Sequence, residues 1–134
     1  MTQDWAMFIN SQKPFHCVYF DQKSAFDRVD HTLLLEKMAA IGIHANTLSW
    51  FKAYLSHRSY RVRVDSDLSN PRIAHSGVPQ GSCASPLLYT IFVLDINRYL
   101  PVSVKYLGYA DDLKIYCAVD TPDSHKNLQM RWMV

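Results

Sequence analysis

The chain has 134 residues, enough for one ordinary globular domain. Apolar residues make up 49% and charged residues 19%, which excludes a disordered chain, and the net charge of +2 neither requires nor excludes nucleic acid as a partner. Three widely spaced cysteines without a C-x-x-C pair argue against a disulfide framework and a zinc knuckle.

The first predicted elements are a helix end and a strand. The opening residues, MTQDWAMFIN, lack the basic start and sustained apolar core of a signal peptide, and "DWAMFIN" is typical of the last turns of a helix. "FHCVYFD" predicts a strand that is buried on both faces and ends at Asp21. No apolar run is long enough to cross a bilayer, so we expect a soluble intracellular chain, in the nucleus or the cytoplasm.

Two helices are predicted next. The first begins after Asp30 as its N-cap and ends before Gly42. Its apolar face comprises Leu34, Met38 and Ile41. The second helix begins near Asn46 and is followed by "SYRVRVDSDLSNPRIAHSGV", which predicts two strands around the turn "DSDLSNP".

The last third of the chain predicts a helix and a hairpin. "SPLLYTIFVLDINRYLP" predicts a helix with Ser85 as N-cap, Pro86 at its first position and Pro101 as its stop. "VSVKYLGY" and "LKIYCAV" alternate like two strands of a hairpin, with "ADD" between them, and another helix is expected after Pro122. This order favours a single α+β domain over residues 1–134, with an antiparallel-rich sheet and helices packed on one face.

Two adjacent carboxylates, Asp111 and Asp112, occupy the predicted hairpin turn. An ordinary turn would explain them, since Asp bonds its own backbone in turns. A turn that presents two carboxylates is also suited to a hard cation such as Mg²⁺. If the strand that ends at Asp21 is a neighbour, three carboxylates converge, which is natural only around cations. The pattern alone leaves open whether these strands are adjacent.

Two further stretches each have two interpretations. "SGVPQGSCASP" is either a strand-to-helix loop or a ligand loop, in which Gly81 admits a close approach and the Gln80 amide donates and accepts hydrogen bonds. It lacks the ending of a Walker A loop. "HRSYRVRV" offers Arg58, Arg61 and Arg63, which favour a solvated strand face over a patch that binds phosphates.

Taken together, these stretches resemble the palm of a reverse transcriptase, and most closely that of non-LTR (LINE-type) retrotransposons. "VYFDQKSAFDRVDH" resembles the first motif of that family, "SGVPQGSCASPLLY" the second and "YADD" the third. The resemblance extends from about Trp5 to the C-terminus. Phe26 and the presence of YADD in place of Gly-Asp-Asp argue against a viral RNA-copying polymerase. A group II intron maturase would share the motifs, but the residues around them resemble that family less well.

The resemblance implies a two-metal site. Asp21 and Asp111 match the principal ligands of two Mg²⁺ ions, for which Mn²⁺ would be a substitute, and Asp112 matches the third carboxylate. The backbone carbonyl of Gln22 matches a metal or nucleotide contact. The implied reaction is RNA-directed DNA synthesis, which transfers a nucleotide from a dNTP to the 3′-hydroxyl of a DNA primer on an RNA template.

The resemblance also implies a nucleotide site. Phe26 matches the bulky residue that excludes a 2′-hydroxyl, Gln80 and Gly81 match residues that line the nucleotide and template site, and Tyr109 matches the aromatic residue near the primer terminus. The chain departs from the family at Ser24, where Lys is usual.

Two interpretations of function follow. In the first, the chain is the palm core of such a polymerase, with no membrane partner, and a longer chain supplies the fingers and thumb that have no counterpart in this sequence. In the second, the chain is a truncated, inactive retroelement remnant that at most binds metal or nucleic acid.

Overall fold

The computed structural model describes residues 3–10, 12 and 14–119. In chain order the elements are α1 Gln3–Asn10, β1 Phe15–Asp21, a 3₁₀ turn at Phe26–Arg28, α2 His31–Ala40, α3 Ala45–Leu55, β2 Ser59–Tyr60, β3 Arg63–Val64, β4 Asp67–Leu68, β5 Arg72–Ile73, α4 Ser85–Val93, a 3₁₀ segment at Leu94–Tyr99, β6 Lys105–Tyr109 and β7 Asp112–Ala118. Every strand pair is antiparallel. The predicted α+β class is therefore confirmed, and the helix predicted after Pro122 lies outside the described residues.

The chain divides into two units: a sheet unit, Met1–Gln22 with Asp95–Val134, and a helical unit, Lys23–Leu94. The three longest helices and the three-stranded sheet belong to different units, so the expected packing of helices on one face of the sheet stays a prediction. Within the described ranges, no helix is both long and apolar enough to cross a membrane.

The sheet unit contains a three-stranded antiparallel sheet in the order β1-β7-β6. The predicted hairpin is confirmed: β6 and β7 pair around the two-residue turn Ala110–Asp111. One face of the sheet carries a small core, which contains Ile115 and Cys117 on the central strand, with Val104 and, less deeply buried, Phe20 packed against them. The central strand β7 is the more enclosed because it has a neighbour on both sides.

The prediction that β1 is buried on both faces is wrong. The strand is an edge of the sheet, and its residues alternate mostly between half-buried and exposed. Val18 and Tyr19 are both exposed. Apolar side chains on both faces indicate a central strand only when both faces are covered, and a single sequence does not show which strand is at the edge.

The helical unit is built around α2, α3 and α4. Its buried core includes Leu34 and Met38 of α2, Leu55 of α3 and Leu88 of α4. The N-cap prediction is confirmed, because Asp30 Oδ1 accepts a hydrogen bond of 2.8 Å from the Leu33 N–H.

The predicted end of α2 is confirmed. Gly42 follows the helix at φ +87°, the left-handed conformation that glycine adopts at low cost. The prediction that Ile41 belongs to the apolar face is wrong, because Ile41 is the C-cap residue and is 49% exposed.

The segment between α3 and α4 folds as two nested short ladders. β2 pairs with β5, and β3 pairs with β4. The predicted long turn "DSDLSNP" is therefore too wide, since Asp67 and Leu68 already pair with β3. The actual turn is Asp65–Ser66, and Asp65 adopts φ +53°.

Helix α4 begins one residue earlier than predicted. Ala84 is the N-cap residue, so the N-cap prediction for Ser85 is wrong and Pro86 is the second helical residue. Ser85 is buried, and its Oγ donates a 2.5 Å hydrogen bond to the Pro79 carbonyl. A side chain committed to the preceding loop cannot cap the helix.

Candidate functional site

The sheet register aligns three predicted site residues at one end of the sheet. Asp21 of β1 lies opposite Asp112 of β7, and Tyr109 of β6 lies opposite Asp112 on its other side. Directly opposed residues of antiparallel strands project from the same face. These three side chains therefore form a row across the three strands, hereafter the carboxylate row, on the face opposite Ile115 and Cys117.

Asp111 lies beside the row, in the turn. The preceding residue, Ala110, has φ +52°. Two-residue hairpins need such left-handed backbone, which costs a non-glycine residue about 1–2 kcal/mol. The backbone is therefore strained at Ala110, the residue that precedes the two aspartates.

The carboxylate row places like charges side by side. Asp21 and Asp112 are exposed and Asp111 is half-buried. Opposed residues in an antiparallel pair have Cβ atoms about 4.5–5.5 Å apart, and like charges there are destabilising. A cation between the two carboxylates would remove that repulsion.

The donor chemistry of the row fits a hard cation. Carboxylate oxygens suit Mg²⁺, which proteins commonly hold through one or two carboxylates together with substrate phosphates. Within residues 3–119, apart from the masked positions 11 and 13, no three His, Cys, Asp or Glu side chains are grouped closely enough to hold a metal ion. The register opposes Asp21 to Asp112 and not to Asp111, so the pairing of Asp21 with Asp111 as principal ligands stays a prediction.

A cation and an aromatic ring neighbour the row on the same face. Lys114 lies opposite Tyr19, and its Nζ is 5.0 Å from the ring centre. Desolvation, followed by the neighbouring Cys17, raises the pKa of the Tyr19 phenol above its usual value. Tyr109 is 82% exposed and presents most of its ring to solvent.

In the helical unit, the loop Ser76–Gln80 is bonded to the residues around the 3₁₀ turn. The Val78 N–H donates to the Phe26 carbonyl at 2.9 Å, and the Gly77 N–H donates to the Val29 carbonyl at 2.8 Å. The Ser76 hydroxyl donates to the Asp27 carbonyl at 2.8 Å. Two of the sequence motifs, "SAFDRV" and "SGVPQG", are thereby held together.

The contact requires glycine at position 77. A Cβ atom there would lie 2.7 Å from Asp27 Cα and 2.8 Å from its carbonyl oxygen, and Gly77 also has φ +83°. Gly81 has a similar φ of +79°, but nothing lies within 4 Å of its Cβ position. The motif predicted a close approach at Gly81 and not at Gly77, because a sequence pattern does not show which backbone passes beside a glycine.

In the helical unit, two of the predicted nucleotide-site residues contact neighbours that lie outside the predicted site. Gln80 Nε2 donates to Asp27 Oδ1 at 3.2 Å. Phe26 is half-buried, with its ring 4.9 Å from that of Tyr89. His31 Nε2 donates to the Gly77 carbonyl at 2.8 Å. His31 is the last residue of the first motif, but it forms part of no recognisable ligand pair, so the pattern predicted no role for it.

The predicted site residues are thus found in two groups. The sheet unit contains Asp21, Gln22, Tyr109, Asp111 and Asp112, and Gln22 is exposed just after β1. The helical unit contains Phe26, Gln80 and Gly81.

Comparison with known proteins gives one family. A family model described as reverse transcriptase (RNA-dependent DNA polymerase) matches residues 3–130. The chain is 38% identical over 106 residues to a probable RNA-directed DNA polymerase from transposon BS of Drosophila melanogaster, which covers 75% of this chain and 12% of the relative.

Two further relatives have similar descriptions. The RNA-directed DNA polymerase from mobile element jockey of Drosophila melanogaster is 34% identical over 72% of this chain and 11% of its own length. The retrovirus-related Pol polyprotein from type-1 retrotransposable element R2 of Popillia japonica is 29% identical over 84% of this chain and 21% of its own length. The chain thus spans a small part of the relatives that it matches.

The two glycines provide a matched prediction. Gly77→Ala should lower the free energy of unfolding by about 3 kcal/mol, because the added Cβ overlaps the Asp27 backbone in addition to the left-handed strain. Gly81→Ala should cost only about 1 kcal/mol, because its φ is similar and the space is open. Urea titration of the two variants measures the difference. Equal losses would contradict the close backbone contact at Gly77.

Proposed function

The chain belongs to the reverse transcriptase (RNA-dependent DNA polymerase) family, and from that premise we propose that it is the palm of a non-LTR retrotransposon polymerase that extends a DNA primer with dNTPs on an RNA template. The supporting observation is the register that aligns Asp21 with Asp112 and sets Asp111 beside them in the turn. That alignment places Asp21 of the first motif opposite Asp112 of the third, although the two are far apart in the sequence.

The carboxylates have a binding role in this proposal. Asp21, Asp111 and Asp112, with the Gln22 backbone carbonyl, would hold two Mg²⁺ ions, and the like-charge repulsion within the row favours binding. When bound, the two ions would supply charge stabilisation to the attacking and leaving oxygens of phosphoryl transfer.

The remaining residues would position the substrates. Tyr109 ends β6 next to Asp112 and exposes its ring, which suits contact with the primer terminus. Phe26 would bar a 2′-hydroxyl, with its ring held from behind by Tyr89. Gln80 would contact nucleotide or template with its amide oxygen, since its Nε2 donates to Asp27, and Gly81 has open space for a ligand to approach.

Primer extension is the direct test. With an RNA template, a labelled DNA primer, dNTPs and Mg²⁺, we expect the 134-residue chain to extend the primer and Asp111→Asn to lose at least about 100-fold, because a metal-binding charge is removed. Asp67→Asn, an exposed aspartate of β4, is the matched control and should keep full activity.

Two outcomes would contradict the proposal. Equal extension by all three proteins would refute the carboxylate site. The absence of product from the unmodified chain would refute polymerase activity of this polypeptide and leave the interpretation of an inactive remnant that at most binds metal or nucleic acid.

The sugar selectivity tests the role of Phe26. Phe26→Ala should raise the incorporation of UTP relative to dTTP by at least about tenfold, because the bulk that bars the 2′-hydroxyl is removed. Phe92→Ala, a half-buried aromatic of the same core on α4, controls for lost packing and should leave the ratio unchanged. An unchanged ratio in Phe26→Ala would reject its role as a gate.

A further inference from the structure

Arg58 is a half-buried cation with two guanidinium nitrogens that have no hydrogen-bond partner among the described residues. It follows α3 and is half-buried, and its Nε and Nη1 atoms are shielded from solvent. Neither atom has a hydrogen-bond partner in the part of the chain that the structure describes. More than about 90% of buried polar groups in native proteins are paired, and an unpaired buried charge is costlier than an unpaired neutral group. A bound anion that accepts hydrogen bonds from these two atoms would remove that cost.

Two neighbouring cavities meet at Arg58, with volumes of about 880 and 460 Å³. Both are lined by Arg58, Ser59 and His75, and both lie within the helical unit. The larger cavity is also lined by Tyr60 and Gln80. Its volume is in the range of sites that bind small ligands or single ligand groups.

The lining gives Arg58 no anion of its own. The one carboxylate among the residues that line the two cavities is Asp27, and its Oδ1 accepts a hydrogen bond from Gln80. The Ser76 hydroxyl is committed to the Asp27 backbone carbonyl. Neither residue bonds the Nε or Nη1 atom of Arg58, so these two atoms have no anionic partner among the described residues.

The surroundings favour a polyanion over a single carboxylate. Arg63 and Arg72 are exposed on the adjoining ladders, and Arg61 is exposed between β2 and β3. The only opposite charges on these ladders are Asp65 and Asp67, at and beside the β3–β4 turn. Several exposed cations near a half-buried guanidinium suit a phosphodiester backbone, because Arg matches phosphate geometry and each neutralised phosphate adds affinity.

We propose that the Arg58 cavity binds a backbone phosphate of a single-stranded RNA, with Arg58 donating to the phosphate oxygens and the neighbouring arginines lying along the strand. The identity of the strand rests on the proposed function. The site itself rests on the unpaired guanidinium, the cavity and the local excess of positive charge.

Binding without catalysis tests this site. Anisotropy of a labelled RNA oligonucleotide is titrated with the chain at fixed salt, without dNTPs or Mg²⁺. Arg58→Lys should weaken binding about tenfold, because the charge is kept while the hydrogen bonds of a recessed guanidinium to phosphate are lost. Arg63→Lys, on an exposed strand, should change affinity less than about twofold. Equal effects in the two variants would overturn the proposal and indicate charge attraction alone.

A second measurement does not depend on a variant folding. The ¹⁵Nε–¹H resonance of Arg58 in the unmodified chain should shift on titration with the RNA and not with polyglutamate of matched charge. A resonance that RNA leaves unmoved overturns the proposal. So does one that polyglutamate moves as far as RNA, because the occupant would then be an acidic protein segment.

The results separate this site from the polymerase function. A chain that binds RNA through Arg58 and extends no primer contradicts the proposed polymerase and supports this site. A chain that extends primers while Arg58→Lys binds RNA as tightly as the unmodified protein contradicts this site alone.

Discussion

The sheet unit depends on the register between β1 and β7. Residues on a strand alternate between faces, so a slip of one residue would carry Ile115 and Cys117 out of the core. The same slip would separate Asp21 from Asp112. Burial of the apolar face therefore fixes the position of the carboxylates on the other face. The free energy gained by packing the apolar face offsets the repulsion between the two like charges on the other face.

The helical unit depends on a close backbone contact between Gly77 and Asp27. Gly77 allows the loop Ser76–Gln80 to pass against Asp27, and three backbone or hydroxyl hydrogen bonds hold it there. Both units therefore carry locally unfavourable features at their proposed ligand sites: opposed carboxylates and left-handed Ala110 in one, an unpaired guanidinium in the other. Such features persist where the surrounding structure over-determines them, and they are typical of sites that await a ligand.

Much of the fold was predictable because its signals are local. A few adjacent residues are enough to predict each of three features: the Asp30 cap, the left-handed Gly42 and the hairpin around Ala110–Asp111. The predictions were wrong where packing between distant segments determines the local structure. The exposed edge of β1 depends on which strand is its neighbour, and the start of α4 depends on a hydrogen bond from Ser85 to the Pro79 carbonyl.

The candidate site, too, was predictable in its residues and not in the contacts between them. The carboxylates could be named from the motifs, but their register could not, since strand pairing is a property of the whole sheet. Gly77, His31 and the unpaired atoms of Arg58 gained their meaning only from the groups around them.

The central claim, that the carboxylate row is built to hold a cation, is tested most directly by the free energy of unfolding with and without Mg²⁺ at constant ionic strength. Without Mg²⁺, Asp112→Asn should be more stable than the unmodified chain by up to about 1 kcal/mol, because the repulsion by Asp21 is removed. Mg²⁺ should stabilise the unmodified chain by binding its folded state and should stabilise the variant much less, while Asp67→Asn behaves like the unmodified chain. Loss of stability in Asp112→Asn without Mg²⁺, together with equal stabilisation of all three proteins by Mg²⁺, would contradict the account.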